Sequence, residues 1–308
     1  MTLGPNARGA MFALIAFALY SSHDAVIKGL SARLSTPQIV FFATLLGLPL
    51  AVLFMASDRT PGTLIPRHPG WMAVRAGGVI TSGITGFYAF TLLPLAQVYA
   101  LLFATPLLIT LLAIPVLGER VGARRLIAVL FGLAGVLIVL RPGQAPVGIG
   151  HLAALISALA ASLAAVASRR IGREERAAVM VIWPMLGNAA VMGAVQPFVY
   201  VPVSGADLAL LSLVAVCSFV ALLLIVMAYR IAEAAVVAPM QYSQILWATL
   251  FGALFFDEVP DLWTFVGAGV VIASGLYIVV REAGGDASAN RPVSEGPVRP
   301  QAGDPGPG

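Results

Sequence analysis

Apolar residues run along this chain in ten stretches, each long enough to span a bilayer and separated by short polar connections. A helix needs about 20 mostly apolar residues to cross the hydrocarbon core. The pattern predicts spans near 9–30, 36–56, 71–92, 96–117, 122–140, 148–168, 178–200, 207–229, 235–256 and 262–280. The connections carry turn or charge signals, as at 57–62, Gly118-Glu119-Arg120, Arg141-Pro142-Gly143 and 257–261. Pro106, Pro184 and Pro239 fall inside spans, where a missing backbone donor loosens the helix.

Composition agrees. Of 308 residues, 59% are hydrophobic and 10% charged, against about 25% charged in soluble domains. The net charge of +4 is spread between apolar runs, so no basic patch for nucleic acid is expected. Cys217, the single cysteine, lies in an apolar run, which excludes a disulfide framework and a thiolate metal site. The N-terminal run continues past His23 to Leu30 without a clear cleavage site and reads as a retained first helix rather than a signal peptide.

Orientation follows from lysine and arginine placement. With the N-terminus inside, the cytoplasmic segments hold fifteen of these residues and the external segments three, namely Lys28, Arg33 and Arg141. Both termini are expected in the cytoplasm. From Glu282 the chain turns to Gly, Pro, Ala, Ser and charge, so residues 282–308 are expected to be a disordered tail.

A shift of 139 residues lays Ala89–Gly135 on Ala228–Ser274. It matches Ala89 with Ala228, Val98 with Val237, Leu107 with Leu246 and Glu119 with Glu258. Both segments read as an apolar span, an acidic turn and a Gly-rich span. Five spans per half make the halves opposite in the membrane, an arrangement recurrent in carriers.

Residues 96–141, with Leu-Gly-Glu-Arg and Ala-Gly-Val-Leu-Ile-Val-Leu-Arg, resemble the end of an EamA module. So do residues 235–281, with Phe-Phe-Asp-Glu-Val-Pro-Asp-Leu-Trp and Ile-Ala-Ser-Gly-Leu-Tyr. The chain resembles the EamA family of the drug/metabolite transporter superfamily over nearly all of 9–281. The resemblance implies an all-α polytopic membrane protein, with ten transmembrane helices as two inverted five-helix repeats at 9–141 and 148–281. It implies a secondary transporter of a small organic metabolite in the inner membrane, with no cofactor. A homodimer is compatible with it.

Polar groups at mid-membrane are the candidate binding residues, because an unpaired one is costly there. Asp24 and Lys28, at i and i+4, share a helix face with Tyr20 one turn earlier. Either Lys28 reaches the external interface and Asp24 neutralises it, or both line a cavity, with Lys28 meeting an anionic or carbonyl group and Asp24 holding a proton. Ser22 to Lys28 resembles the Asp-x-x-x-Lys pattern of EamA carriers near the riboflavin and S-adenosylmethionine transporters. Gln241, Tyr242, Gln244 and Trp247 offer hydrogen bonds beside a flat aromatic surface, suited to a planar or amphipathic ligand; alternatively they glue helices and face lipid. Tyr88, Gln97, Tyr99 and Trp183 are further candidates. Glu119 and Glu258 read as caps or fasteners of the helices that follow. Gly78, Ser82 and Gly86, then Ala154, Ala158 and Ser162, then Gly269 and Ala273, read as close-packing faces.

Rival functions lack their signals. His23, His68 and His151 are dispersed, and no zinc-protease, nucleophile-elbow or phosphate-loop motif occurs. The interior has no repeated charge ring or filter of the kind channels use. Carrier function is therefore expected, with riboflavin uptake as the specific reading. Export of amino acids, drugs or other metabolites is the broader alternative, and a membrane scaffold the non-transport one.

Overall fold

A computed structural model describes residues 4–56, 63–119, 121–142, 147–172, 174–232 and 234–283. Its helices are α1 (Pro5–Leu30), α2 (Thr36–Ala56), α3 (Pro69–Leu92), α4 (Leu95–Leu102), α5 (Thr105–Leu117) and α6 (Ala123–Leu140). They continue as α7 (Ile149–Ile171), α8 (Ala177–Val199), α9 (Gly205–Ile231), α10 (Ala234–Val237), α11 (Gln244–Phe256) and α12 (Leu262–Ala283), with a 3₁₀ turn at Ala238–Ser243 between α10 and α11. The connection at 57–62, Arg120, Gly143 and the tail from 284 onward lie outside the described residues. Glu282, the expected start of the tail, still belongs to α12.

Among the described residues, seven segments are long and apolar enough to cross a membrane: α1, α2, α4 with α5, α7, α8, α9 and α12. The other three expected spans correspond to α3, rich in Gly, Ser and Thr; to α6, whose apolar stretch is Leu126–Leu140; and to the interrupted ninth segment.

Of Pro106, Pro184 and Pro239, two sit at helix breaks. Pro106 has no N–H for the Leu102 carbonyl, and the Thr105 hydroxyl donates to that oxygen instead at 2.7 Å. The α-helical hydrogen-bond ladder is interrupted at Phe103 and Ala104, which keep right-handed backbone angles, and restarts as α5. Pro239 opens the 3₁₀ turn of the ninth segment in the same way. Pro184 differs: α8 runs unbroken through it and through Pro197, because packing on α2 and α3 holds the helix despite the missing bonds.

The 139-residue correspondence extends into backbone geometry. Shifted by that amount, Thr105–Leu117 becomes Gln244–Phe256, so α5 and α11 have matching bounds. Both end in a left-handed residue, Gly118 at φ 69 and Asp257 at φ 53. Both are then closed by an N–H from the following glutamate, Glu119 to the Ala113 carbonyl at 3.3 Å and Glu258 to the Gly252 carbonyl at 3.0 Å. This is the Schellman closure of orphan carbonyls. Asp257 fills the left-handed position where glycine is usual, consistent with the tolerance of aspartate for that region.

Packing is likewise paired. Helix α1 lies on α9 and α3 on α7, while α2 meets α8 and α6 meets α12. Small residues make these approaches. A Cβ on Gly78 would stand 2.7 Å from the Ala160 carbonyl, and one on Gly86 2.8 Å from Ser157 Oγ. The Ser82 and Ser157 hydroxyls meet at 3.1 Å, and Ser162 donates to the Thr105 carbonyl. Between α6 and α12 the close residues are Gly132, Gly135 and Gly267, whereas Gly269 has open space beside it. Gln38, with no exposed surface, bonds both the Val201 carbonyl at 2.6 Å and its N–H at 3.1 Å, which ties the strandless α8–α9 connection to α2.

Helices α3 and α7 run antiparallel. The start of α3 meets the end of α7 through Arg75 Nε to Ser168 Oγ at 2.8 Å and His68 Nε2 to Glu174 Oε2 at 2.5 Å. At the other end Leu93 lies against Gly150. Glu119 pairs with Arg169 near the end of α7, and Glu258 with Lys28, which also bonds the Leu93 carbonyl. Glu119 and Glu258 therefore stand at opposite ends of the bundle.

Candidate functional site

Where the broken segments cross, α1, α3, α4, α5, α7, the 3₁₀ turn and α11 line an open cavity of about 330 Å³, at the low end for small-molecule sites. Asp24 projects from α1 one turn beyond Tyr20, and both line the cavity. Tyr99 projects from the short α4 and donates its hydroxyl to Asp24 Oδ2. Gln244, the first residue of α11, donates from Nε2 to the Tyr99 oxygen at 3.4 Å. The helix breaks place Gln244 at the start of α11 and Tyr99 one turn before the break that follows α4, and their side chains converge on α1. His23 Nδ1 lies 2.8 Å from Asp24 Oδ1, so both carboxylate oxygens are engaged, as a group only 8% exposed requires.

Aromatic rings make the rest of the wall. His23 meets Phe87 at 5.7 Å between centroids, Phe90 meets Tyr99 at 5.5 Å, and Tyr99 meets Phe103 at 6.2 Å. Ser82, Ser157, Thr105 and Gln241 add polar edges. Asp24 is the only formally charged residue lining the cavity among the described residues. The arrangement can hold a flat ring system between aromatic faces and present acceptors and amide donors to its edges. No cluster of metal-ligating residues occurs among the described residues.

Of the residues expected from the sequence, Asp24, Tyr99, Gln241 and Gln244 line the cavity. Tyr242 stands behind the wall, buried, with its ring edge-on to Phe103 at 5.1 Å. Lys28 lies one turn beyond Asp24 and outside the lining: its ammonium bonds Glu258 at 2.5 Å and the Leu93 carbonyl at 2.6 Å, 5.5 Å from the Phe256 ring centroid. Gln97 contacts His151 Nε2 at 3.1 Å. Trp183 is 41% exposed and donates to the Leu64 carbonyl, and Tyr88 is 39% exposed. Trp247 stacks on Phe251 at 6.2 Å, outside the lining. Glu258 fastens α1 and the start of α4, through Lys28 and the Leu95 N–H, rather than the helix that follows it.

Sequence reasoning did not single out Phe87, Phe90, Phe103, Ser82 or Ser157 as lining. Phe103 carried a signal, since the repeat shift pairs it with Tyr242. Phe87 and Phe90, three apart on one helix face, resembled ordinary core.

Over 284 residues the chain is 28% identical to a riboflavin transporter of Rhizobium johnstonii, covering 89% of this chain and 91% of that protein. It is 23% identical to an S-adenosylmethionine uptake transporter of Rickettsia prowazekii, covering 89% and 93%. It is 26% identical to a pseudopaline exporter of Pseudomonas aeruginosa, covering 86% and 94%. A solved crystal structure shares the fold at a TM-score of 0.63 and 21% identity, over 90% of this chain and 99% of that one. Residues 7–141 and 148–281 each match the EamA-like transporter family, and this chain, a multi-pass membrane protein, belongs to that family.

Proposed function

We propose that this protein is a secondary carrier with ten membrane-spanning segments in two inverted repeats, which give alternating access to the cavity at Asp24 and Tyr99. The observation that carries this reading is the convergence of a carboxylate, a phenol and an amide where two repeat-related broken helices cross. Broken helices at a repeat interface are where carriers bind their cargo. The paired packing of α1 with α9 and α3 with α7 supports the inversion, and the fifteen-to-three distribution of basic residues supports cytoplasmic termini.

Uptake of riboflavin is the specific reading. It is supported by the relative of that name, by the Asp24 and Lys28 spacing, and by aromatic walls beside the amides of Gln241 and Gln244. A second reading, a cationic metabolite such as S-adenosylmethionine, is favoured by Asp24 as the only formal charge in the described lining. Proteoliposomes loaded with buffer and offered labelled riboflavin or labelled S-adenosylmethionine decide between them. Growth of a riboflavin auxotroph on limiting riboflavin gives the cellular check. No rescue despite membrane expression removes the riboflavin reading, and no flux of any metabolite offered from cell extract removes carrier function.

A further inference from the structure

Every ion pair between distant segments of the described residues joins the first half of the chain to the second. At one end of the bundle are Lys28 with Glu258, Arg33 with Asp207 and Arg141 with Asp261; at the other are Arg169 with Glu119 and His68 with Glu174. Lys28–Glu258 differs from the rest in that both side chains are mostly covered, at 10% and 18% exposed, whereas Arg169 and Glu119 are 49% and 28% exposed. The two glutamates are repeat equivalents, each held by the same backbone closure after a left-handed residue. Each reaches a base on the first helix of the opposite half, Lys28 on α1 or Arg169 on α7.

Lys28 also sits one turn, about 5.4 Å, beyond the cavity residue Asp24. Its partners include the Leu93 carbonyl, while Glu258 takes the Leu95 N–H. The pair thus draws the α3–α4 connection, α1 and α11 together over that end of the cavity.

We propose that Lys28–Glu258 and Arg169–Glu119 are two alternating latches, one at each end of the passage, broken in turn as the halves rock. The proposal rests on the carrier reading. A rock that parts the halves at one end must pull one pair beyond contact distance while keeping the other. A buried pair resists losing a partner strongly, so the Lys28 end releases only as water enters. The exposed Arg169–Glu119 pair is held more weakly. The resting protein therefore favours closure at the Lys28 end and opens more readily at the Arg169 end.

Cys217 is the single cysteine, so Cys217→Ser gives a clean background for a reporter at Leu102→Cys, or at Ser82→Cys, both in the cavity wall. An impermeant maleimide is applied separately to each face of oriented membrane vesicles. Glu258→Gln and Lys28→Gln should each raise labelling from the Lys28 face about tenfold, with no rise from the opposite face. Glu119→Gln should raise labelling from the Arg169 face, by a smaller factor. The exchange Lys28→Glu with Glu258→Lys should restore protection. Labelling that is unchanged by the single variants, or that rises equally from both faces, overturns the latch. The reading needs no substrate, so its outcome is independent of the flux measurements that test carrier function.

Discussion

Phe103 and Tyr242 occupy equivalent positions in the two halves and meet edge to face, with ring centroids 5.1 Å apart and an interplanar angle of 84°. In the inverted arrangement proposed above, repeat-equivalent residues meet near the axis that relates the halves, which puts this contact at the centre. Tyr99, one turn before Phe103, then carries its hydroxyl from that centre to Asp24. The cavity lies around these groups.

Behind Tyr242 stands Gly275, where a Cβ would fall 1.8 Å from the tyrosine oxygen and 2.9 Å from the ring carbon bearing it. Gly275→Ala must push the ring toward Phe103. It is expected to lower the stability of detergent-solubilised protein by about 1–3 kcal/mol, the usual cost of overpacking, and to slow transport. Tyr242→Phe removes the clashing oxygen and should recover part of the loss in Gly275→Ala. Thermal unfolding of the two single variants and the double variant measures this coupling.

The α6–α12 contact is a backbone contact. A Cβ on Gly267 would meet the Gly135 carbonyl at 2.6 Å and Val139 Cγ2 at 2.5 Å. Gly267→Val therefore cannot be absorbed by a side chain turning away, and the helices must separate. Replacing Gly269, which faces open space, by Val should be tolerated. Yield of monodisperse protein and its unfolding temperature should drop for the first variant and stay near the parent for the second.

Asp24 is the only formally charged residue in the described lining of an aromatic cavity, which motivates the proposal that it exchanges a proton during transport. Asp24→Asn keeps the side-chain size but offers Tyr99 and His23 one acceptor and one donor in place of two acceptors, and cannot change charge. It is expected to abolish the response of transport to an imposed pH gradient in proteoliposomes. A normal response in this variant would eliminate proton coupling at Asp24.

Asp261 caps α12: its Oδ1 accepts from the Thr264 N–H at 2.8 Å and hydroxyl at 2.6 Å, and Oδ2 pairs with Arg141. Partial burial opposes ionisation, but the Thr264 donors and the Arg141 charge outweigh it and hold the carboxyl below its usual range. A depressed carboxylate adds stability that is fully present above its unfolded value, about 3.9, and fades as pH falls through the lower folded value. Unfolding measured at pH 7 and pH 5 should show the same contribution from Asp261. Asp261→Ala should cost about 1 kcal/mol at both, a typical loss for a removed helix cap.

Much of the architecture could be read directly from the chain. The apolar runs gave helix positions within a few residues, because in lipid a backbone must satisfy its own hydrogen bonds and a long apolar run becomes a helix. Repeat equivalence was visible at Glu119 and Glu258, since an acidic turn after an apolar run is a local signal. The breaks at Pro106 and Pro239 followed from the missing donor, whereas the continuity of α8 through Pro184 did not, because neighbouring helices supplied what the local sequence lacked.

Local chemistry in the sequence by itself determined that the chain is a helical membrane protein with two related halves, and that Asp24 is a polar group at membrane depth. Which groups meet there was decided only by tertiary structure. Asp24, Tyr99 and Gln244 are distant in sequence, and Lys28 is turned from cavity to ion pair by Glu258, which is 230 residues away. Burial forces each polar group to find a partner, but only the packing of the helices determines which partner is within reach.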